Sequence, residues 1–337
     1  MEHDLEVGAE ETDGLDRLGF IGTGNLGSRI AANLLRAGFD ITVHDVRPEA
    51  AASCLRAGAK WAASPAAAAA EVDTVITCLP KIEVVREVVT GGDGILAGLR
   101  AGGCWVDLST NDAGELCRLA ALAGASGVDT LEAPVTGGVH KAAAGELTVL
   151  VSGRPEVYAA QRRLLGAVGS KVIYLGPLGQ ASKMKVITNM LAFVHLVAAG
   201  EAMMLAARAG IDLGDAFAAI EASSGNSFVH ETESQVILSG TYDIGFTLDL
   251  ACKDLGLVHQ LAADLEVPIE LAELVERRFA RARQRYGGDA WSPRVVQLLE
   301  DQVGTTLRSA GFPDSLVDDD PAGRAERARR PGHDTAD

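Results

Sequence analysis

From residue 17 to about residue 175, short apolar and β-branched runs recur between longer Ala-rich stretches: RLGFIG, DITVHD, VDTVITC, CWVDLS, DTLEAPV, LTVLVSG and KVIYLG. Runs of this length read as strands, and the helical spacing between them implies crossover connections and a mostly parallel sheet. After Gly176 the rhythm stops. No strand is expected between residue 179 and about 312. A near-continuous helical segment is expected over residues 183–209 instead, with further helices at 212–223, 246–266 and 268–286. Between residues 190 and 205 the long segment is apolar on nearly all faces, interrupted by His195, Gly200 and Glu201. It reads as too short and too polar for a membrane span and as a helix covered on every side, in part by a second copy of the chain. The pattern predicts an α/β protein: a mostly parallel sheet domain over residues 17–178, then an all-helical substrate and dimerisation domain over 179–313. Residues 1–16 and 314–337 are expected to be disordered tails.

Composition sharpens this picture. With 47% hydrophobic and 23% charged residues, the chain is not disordered throughout. Only 4% is aromatic, so the core must be filled by Ala, Val, Leu and Ile, which suits helices on a parallel sheet better than a β-sandwich. The net charge of −16 is concentrated at the ends: seven acids precede the first basic residue, and seven acids against four arginines follow residue 313. The middle is unremarkable, and no basic stripe suggests nucleic acid. Five scattered cysteines without a C-x-x-C spacing, and no apolar stretch after the acidic start, point to a reducing cytoplasm. The histidines show no metal-ligand spacing, and no metal is expected.

The first strand runs directly into Gly22-Thr23-Gly24-Asn25-Leu26-Gly27 and then a helix ending at Gly38. Glycines at this spacing permit a tight turn, let backbone approach a pyrophosphate and allow close helix–strand packing. The second strand ends in Asp45, 23 residues after Gly22, where a carboxylate binds the adenosine ribose hydroxyls. These features predict a Rossmann-type dinucleotide-binding domain. Asp45 favours NAD over NADP, although the nearby Arg47 could accommodate the extra phosphate of NADP.

Three further segments carry candidate chemistry. The strand CWVDLS ends in the hydroxyls of Ser109 and Thr110 at what would be the ligand-binding edge of the sheet, or these serve as a helix N-cap. Thr136, Gly137 and Gly138 follow another strand, where paired glycines either form a nest for a carboxylate or make a tight turn. Lys141, just beyond, contacts an anionic substrate or is a solvated loop lysine. Lys185 and Asn189 stand four residues apart and share one face at the start of the long helix. A lysine there must be solvated, paired or employed. Lys183 points elsewhere. His195 lies about 280° round an ideal helix from Lys185 and reads as a core or interface histidine.

Taken together, FIGTGNLG, DLST, EAPVTGG, GQASKMKVITN and FTLDLACKDLGL resemble the successive motifs of the β-hydroxyacid dehydrogenases, over residues 18 to about 312. The resemblance implies NAD(P)-dependent interconversion of a hydroxy acid and its semialdehyde in a homodimer or homotetramer. It makes Lys185 the catalytic acid/base and Ser109, Thr136, Gly137, Gly138 and Asn189 substrate ligands. It places Leu79, Pro80, Thr110 and Lys253 near the cofactor, with Asp254 structural. An imine reductase or a non-catalytic nucleotide-binding protein would share the architecture, and Lys185 favours the hydroxy acid over both. The chain departs from the family pattern in lacking a proline after Ser109-Thr110, in Thr136 for serine, and in Thr188 before Asn189.

Overall fold

The computed structural model describes residues 16–317. The expected tails therefore fall outside it for residues 1–15 and 318–337. The strands are β1 (Arg17–Ile21), β2 (Asp40–His44), β3 (Lys60–Trp61), β4 (Thr74–Thr77), β5 (Cys104–Asp107), β6 (Asp129–Glu132), β7 (Val135–Thr136), β8 (Thr148–Gly153) and β9 (Lys171–Tyr174). They form one sheet in the order β3-β2-β1-β4-β5-β6-β8-β7, with β9 pairing to β8. From β3 to β6 all pairings are parallel, whereas β8 runs antiparallel to β6 and β7. Helices cover this sheet: α1 (Gly27–Arg36), α2 (Ala52–Arg56), α3 (Pro65–Ala69), α4 (Ile82–Thr90), α5 (Ile95–Gly98), α6 (Ala113–Ala125), α7 (Gly138–Ala144), α8 (Pro155–Ala160) and α9 (Arg162–Val168).

The central strands β4 and β5 are buried along their whole length, as a sheet covered on both faces requires. Chain order reverses at β1, which lies between β2 and β4, and ligands of such sheets bind at the carboxyl ends beside that switch. Two features escaped the sequence pattern. Strand β3 is two exposed residues long and carries no periodicity. The run DTLEAPV breaks at Ala133-Pro134 into β6 and β7, where Pro134 contributes only its carbonyl, to Leu150 N at 2.9 Å.

The second domain is helical: α10 (Gln180–Arg208), α11 (Leu213–Glu221), α12 (Phe228–Ser239), α13 (Leu248–Asp264), α14 (Glu270–Tyr286) and α15 (Arg294–Val303). Phe193, Leu196, Met203 and Met204 of α10 sit in its core, and α11 to α15 all pack on that helix. Gly200 lets α15 cross closely, since a Cβ there would meet Val296 Cγ2 at 2.6 Å. Neither α12 nor α15 was expected. Helix α12 mixes polar and apolar residues around its circumference, and its best signal is the cap, Ser227 Oγ accepting from His230 N at 3.0 Å. Beyond α15 the chain is tied down by a buried carboxylate: Glu300 accepts from Leu307 N at 2.6 Å, Arg308 Nη1 at 2.9 Å and the Tyr242 hydroxyl.

One expectation about the long helix is corrected. At 29 residues α10 is, by length and composition alone, long and apolar enough to cross a membrane, yet it is the central helix of this packed domain. Within one chain it is not covered all round, which leaves the cover expected from a second copy open. Met184, Ile187, Leu191 and Leu205 are exposed, Leu191 to 50% and Leu205 to 72%. A further correction concerns the C-terminal boundary: residues 314–317 are described, and Thr241 Oγ1 donates to Asp314 O at 2.8 Å.

Candidate active site

The loop Gly22–Gly27 joins β1 to α1 at the sheet's switch point, so α1 aims its free N–H groups at the crevice. Gly22 has φ +97°, and a Cβ on it would overlap the Cys78 carbonyl; a Cβ on Gly27 would overlap the Gly22 carbonyl. Gly24 faces open space, with nothing within 4 Å of where a Cβ would be. Asp45, at the end of β2, accepts from Thr23 N at 2.8 Å and from Arg47 N at 2.9 Å. Asn25 Nδ2 reaches across to Gly245 O of the helical domain at 3.4 Å. The donor set, the open face over Gly24 and the carboxylate after β2 fit a dinucleotide.

At the ends of β4 and β5 the expected nicotinamide-side residues meet. Leu79 N donates to Ser109 Oγ at 2.9 Å, and Ser109 Oγ donates to Asp107 Oδ1 at 2.6 Å. Ser109 is 4% exposed. Its hydroxyl is committed to the protein on both sides, so it holds the Leu79-Pro80 loop rather than presenting a free hydroxyl to a substrate. Thr110 faces the domain seam, where its carbonyl accepts from Lys253 Nζ at 2.7 Å.

Lys185 lies in the second turn of α10. The turn before it is anchored by Glu132 of β6, a buried carboxylate accepting from Ala181 N at 3.1 Å, Ser182 N at 3.3 Å and Ser152 Oγ at 2.7 Å. Lys185 is 8% exposed. Its Nζ donates to Asn189 Oδ1 at 2.8 Å, and Asn189 Nδ2 donates to Asp254 Oδ2 at 2.6 Å. Lys253 Nζ lies 2.9 Å from Asp254 Oδ1. A continuous chain thus runs from Lys185 through Asn189, Asp254 and Lys253 to the Thr110 carbonyl, joining the two domains. Burial pulls the Lys185 pKa down to about 8; the Asp254 carboxylate opposes this and the Lys253 ammonium adds to it. Asp254 orients this cluster, a role the spacing of a Lys-Asp pair does not reveal. Asn189, expected to touch substrate, has its amide engaged at both ends and positions Lys185.

Gly137 and Gly138 follow β7 with φ of +126° and +77°, conformations that favour glycine. Lys141 reaches over the Phe228 ring at 5.7 Å and lies 3.8 Å from Glu146 Oε2. His140 stacks on the same ring at 5.9 Å, and its Nε2 is buried with no hydrogen-bond partner. His140 and Phe228 carried no distinguishing signal in the sequence, because the two come together only when α12 docks on the glycine turn. Lys183 and His195 take no part in this cluster's hydrogen bonds.

Residues 17–176 match the family described as the NAD binding domain of 6-phosphogluconate dehydrogenase. Residues 179–299 match the family described as NAD-binding of NADP-dependent 3-hydroxyisobutyrate dehydrogenase. L-threonate dehydrogenase of Cupriavidus necator is 35% identical over 283 residues, covering 84% of this chain and 95% of that protein. The chain belongs to the β-hydroxyacid dehydrogenase family. The mitochondrial 3-hydroxyisobutyrate dehydrogenase of Rattus norvegicus is also 35% identical, over 77% of this chain and 80% of its own length. Among solved structures, 3-hydroxyisobutyrate dehydrogenase from Salmonella typhimurium superposes with a TM-score of 0.79 at 34% identity, covering 84% of this chain and 99% of that one. An imine reductase from Pseudomonas sp. is 18% identical with a TM-score of 0.58, a likeness of fold alone. This β-hydroxyacid dehydrogenase is therefore an oxidoreductase that uses NAD or NADP.

Proposed function

We propose that the enzyme interconverts a β-hydroxy acid and its semialdehyde, with Lys185 moving the hydroxyl proton. The observation that carries this reading is a buried lysine with its pKa drawn down to about 8, held in place by Asn189. NAD(P), when bound, accepts or supplies the hydride. Gly22, Thr23, Gly24, Asn25, Leu26 and Gly27 bind its phosphates, Asp45 its ribose, and Leu79, Pro80 and Thr110 its nicotinamide side, with Lys253 closing the seam. Asp45 makes NAD the preferred form. The substrate carboxylate lies against Thr136 and the Gly137 and Gly138 amides, and Lys141, beside the unpartnered His140 Nε2, reads its far end. Neutral Lys185 accepts the hydroxyl proton in oxidation, and the ammonium returns it in reduction.

The test is absorbance at the reduced-nicotinamide band with a panel of β-hydroxy acids, including 3-hydroxyisobutyrate and L-threonate, and each cofactor. Silence across the panel with nucleotide binding intact would leave a non-catalytic protein. The pH profile adds a sharper check. Oxidation needs the deprotonated amine, so kcat should climb as pH rises and level off above about 8, while reduction should fall off over the same range. Profiles that share one direction would exclude Lys185 as the proton carrier.

The exposed stripe of α10 supports a homodimer or homotetramer, since Leu191 and Leu205 on one helix face are otherwise apolar surface in water. Light scattering should give a multiple of the 35.0 kDa chain mass. The double substitution Leu191→Glu with Leu205→Glu should yield monomers, and an unchanged mass would move the interface elsewhere. The free thiols of Cys54, Cys78, Cys104, Cys117 and Cys252 fit a reducing, cytoplasmic setting.

A further inference from the structure

The family match of the helical domain stops at residue 299, and the described chain runs on to residue 317. This added stretch is fastened to the domain along its length. Leu307 is buried in the helical core, Ser309 N donates to Leu238 O at 3.1 Å, and Phe312 meets the Phe217 ring edge-on at 5.1 Å. Arg308 turns back over the Tyr242 ring, with its Cζ 5.1 Å from the centroid, and its Nη2 donates to the Tyr242 hydroxyl at 2.8 Å. That hydroxyl in turn donates to Glu300. Tyr242 has φ +56°, a left-handed backbone that a tyrosine keeps only where its surroundings hold it there. Arg308 and Glu300 supply that hold.

Tyr242 belongs to the loop between α12 and α13, residues 240–247, which touches the first domain at two places. Asn25 Nδ2 of the dinucleotide loop donates to Gly245 O at 3.4 Å, and Gly245 is pressed against α7, where a Cβ would meet Val139 Cγ2 at 2.8 Å. Thr241 ties the same loop to the added stretch: its Oγ1 donates to Asp314 O at 2.8 Å and accepts from Asp243 N at 3.4 Å. Beyond Asp314, Leu316 and Val317 form one wall of a cleft of about 240 Å³, whose other walls include Asn25, Arg29, His140 and Gly245. We propose that residues 305–317 are a strap that holds the 240–247 loop against the dinucleotide loop and closes the cleft beside it, so that bound NAD(P) leaves slowly. Thr241, Leu316 and Val317 are its positioning residues. The inference rests on the reading that puts the dinucleotide phosphates on Gly22–Gly27. Lifting the strap breaks the bond from Thr241 and bares Leu316 and Val317 to water, so each adds to the barrier against release.

The test is the dissociation rate of the reduced dinucleotide, followed by its fluorescence in stopped flow on the full chain. The double substitution Leu316→Gly with Val317→Gly, and separately Thr241→Val, should each speed release about tenfold, as the loss of a few apolar contacts or one hydrogen bond from a barrier allows. Thr241→Ser, which restores the hydroxyl, should release at the wild-type rate. Melting without nucleotide is the control: variants that lose stability yet release cofactor as wild type does would make the strap a structural brace and overturn the proposal.

Steady-state kinetics give a second readout. In the faster-releasing variants the KM for the dinucleotide should rise while the KM for the hydroxy acid stays unchanged. A rise confined to the hydroxy acid would assign the cleft to the substrate and overturn the proposal. Faster release from Thr241→Ser as well as from Thr241→Val would also overturn it, because the hydroxyl would not be the link. Wild-type protein that binds neither NAD nor NADP would instead overturn the cofactor reading itself, which keeps the two failures apart.

Discussion

Lys185→Ala is expected to lower kcat about a thousandfold in both directions while leaving NAD affinity within about twofold, the loss typical of a general acid/base. Lys185 reaches the site from α10, a helix of the second domain, whereas the nucleotide loop and Asp45 belong to the first. Removing the amine therefore takes away proton transfer without touching the cofactor cradle. Lys185→Met is the companion variant, since it keeps the buried volume and removes the charge. In both variants Asn189 loses its partner at Oδ1 but keeps Asp254 at 2.6 Å, so the helix remains anchored. Steady-state kinetics with independent nucleotide titration decides the matter. Turnover within a few fold of wild type would remove Lys185 from the chemistry, and a parallel loss of NAD binding would make the substitution a structural lesion.

Gly22→Ala and Gly24→Ala are expected to separate folding from binding. Gly22 has φ +97° and no room for a Cβ beside the Cys78 carbonyl, so alanine there incurs both backbone strain and a clash. The result should be a lower melting temperature and nucleotide affinity weakened about a hundredfold, equivalent to about 3 kcal/mol. Gly24 lacks the left-handed φ and faces open space. Alanine there should leave the melting temperature unchanged and still weaken nucleotide binding, because its methyl group occupies the face over which the pyrophosphate passes. Melting curves with and without NAD, alongside titrations, check both. If Gly24→Ala binds NAD as wild type does, the cofactor lies elsewhere.

The alternating runs and the Gly22–Gly27 turn were legible because they depend on local rules: strand length, helical spacing and the backbone freedom of glycine. The same holds for the Lys185–Asn189 pair, which shares a face of any helix four residues apart. What was misread or left open involves surroundings. The hydrophobicity of α10 predicts cover on every side, in part from a second copy; a helix sequence records how apolar each side is, not what lies against it. Ser109 read as a substrate ligand because a hydroxyl at a strand end looks the same whether free or bonded. Only the fold brings Leu79 N and Asp107 to either side of it.

By itself the sequence determined the two-part architecture, the dinucleotide loop and the lysine proposed to move the proton, since each is written in residues close together along the chain. Only the tertiary structure decided what those residues are connected to. Asp254 joins Asn189 across 65 positions, Lys253 joins Thr110 across 143, and Asp107 gathers Thr77 from a neighbouring strand 30 positions away. The physical reason is that charge and hydrogen-bond satisfaction are set by distance in space and by exclusion of water. Neither quantity exists until the sheet and the helices have closed on one another.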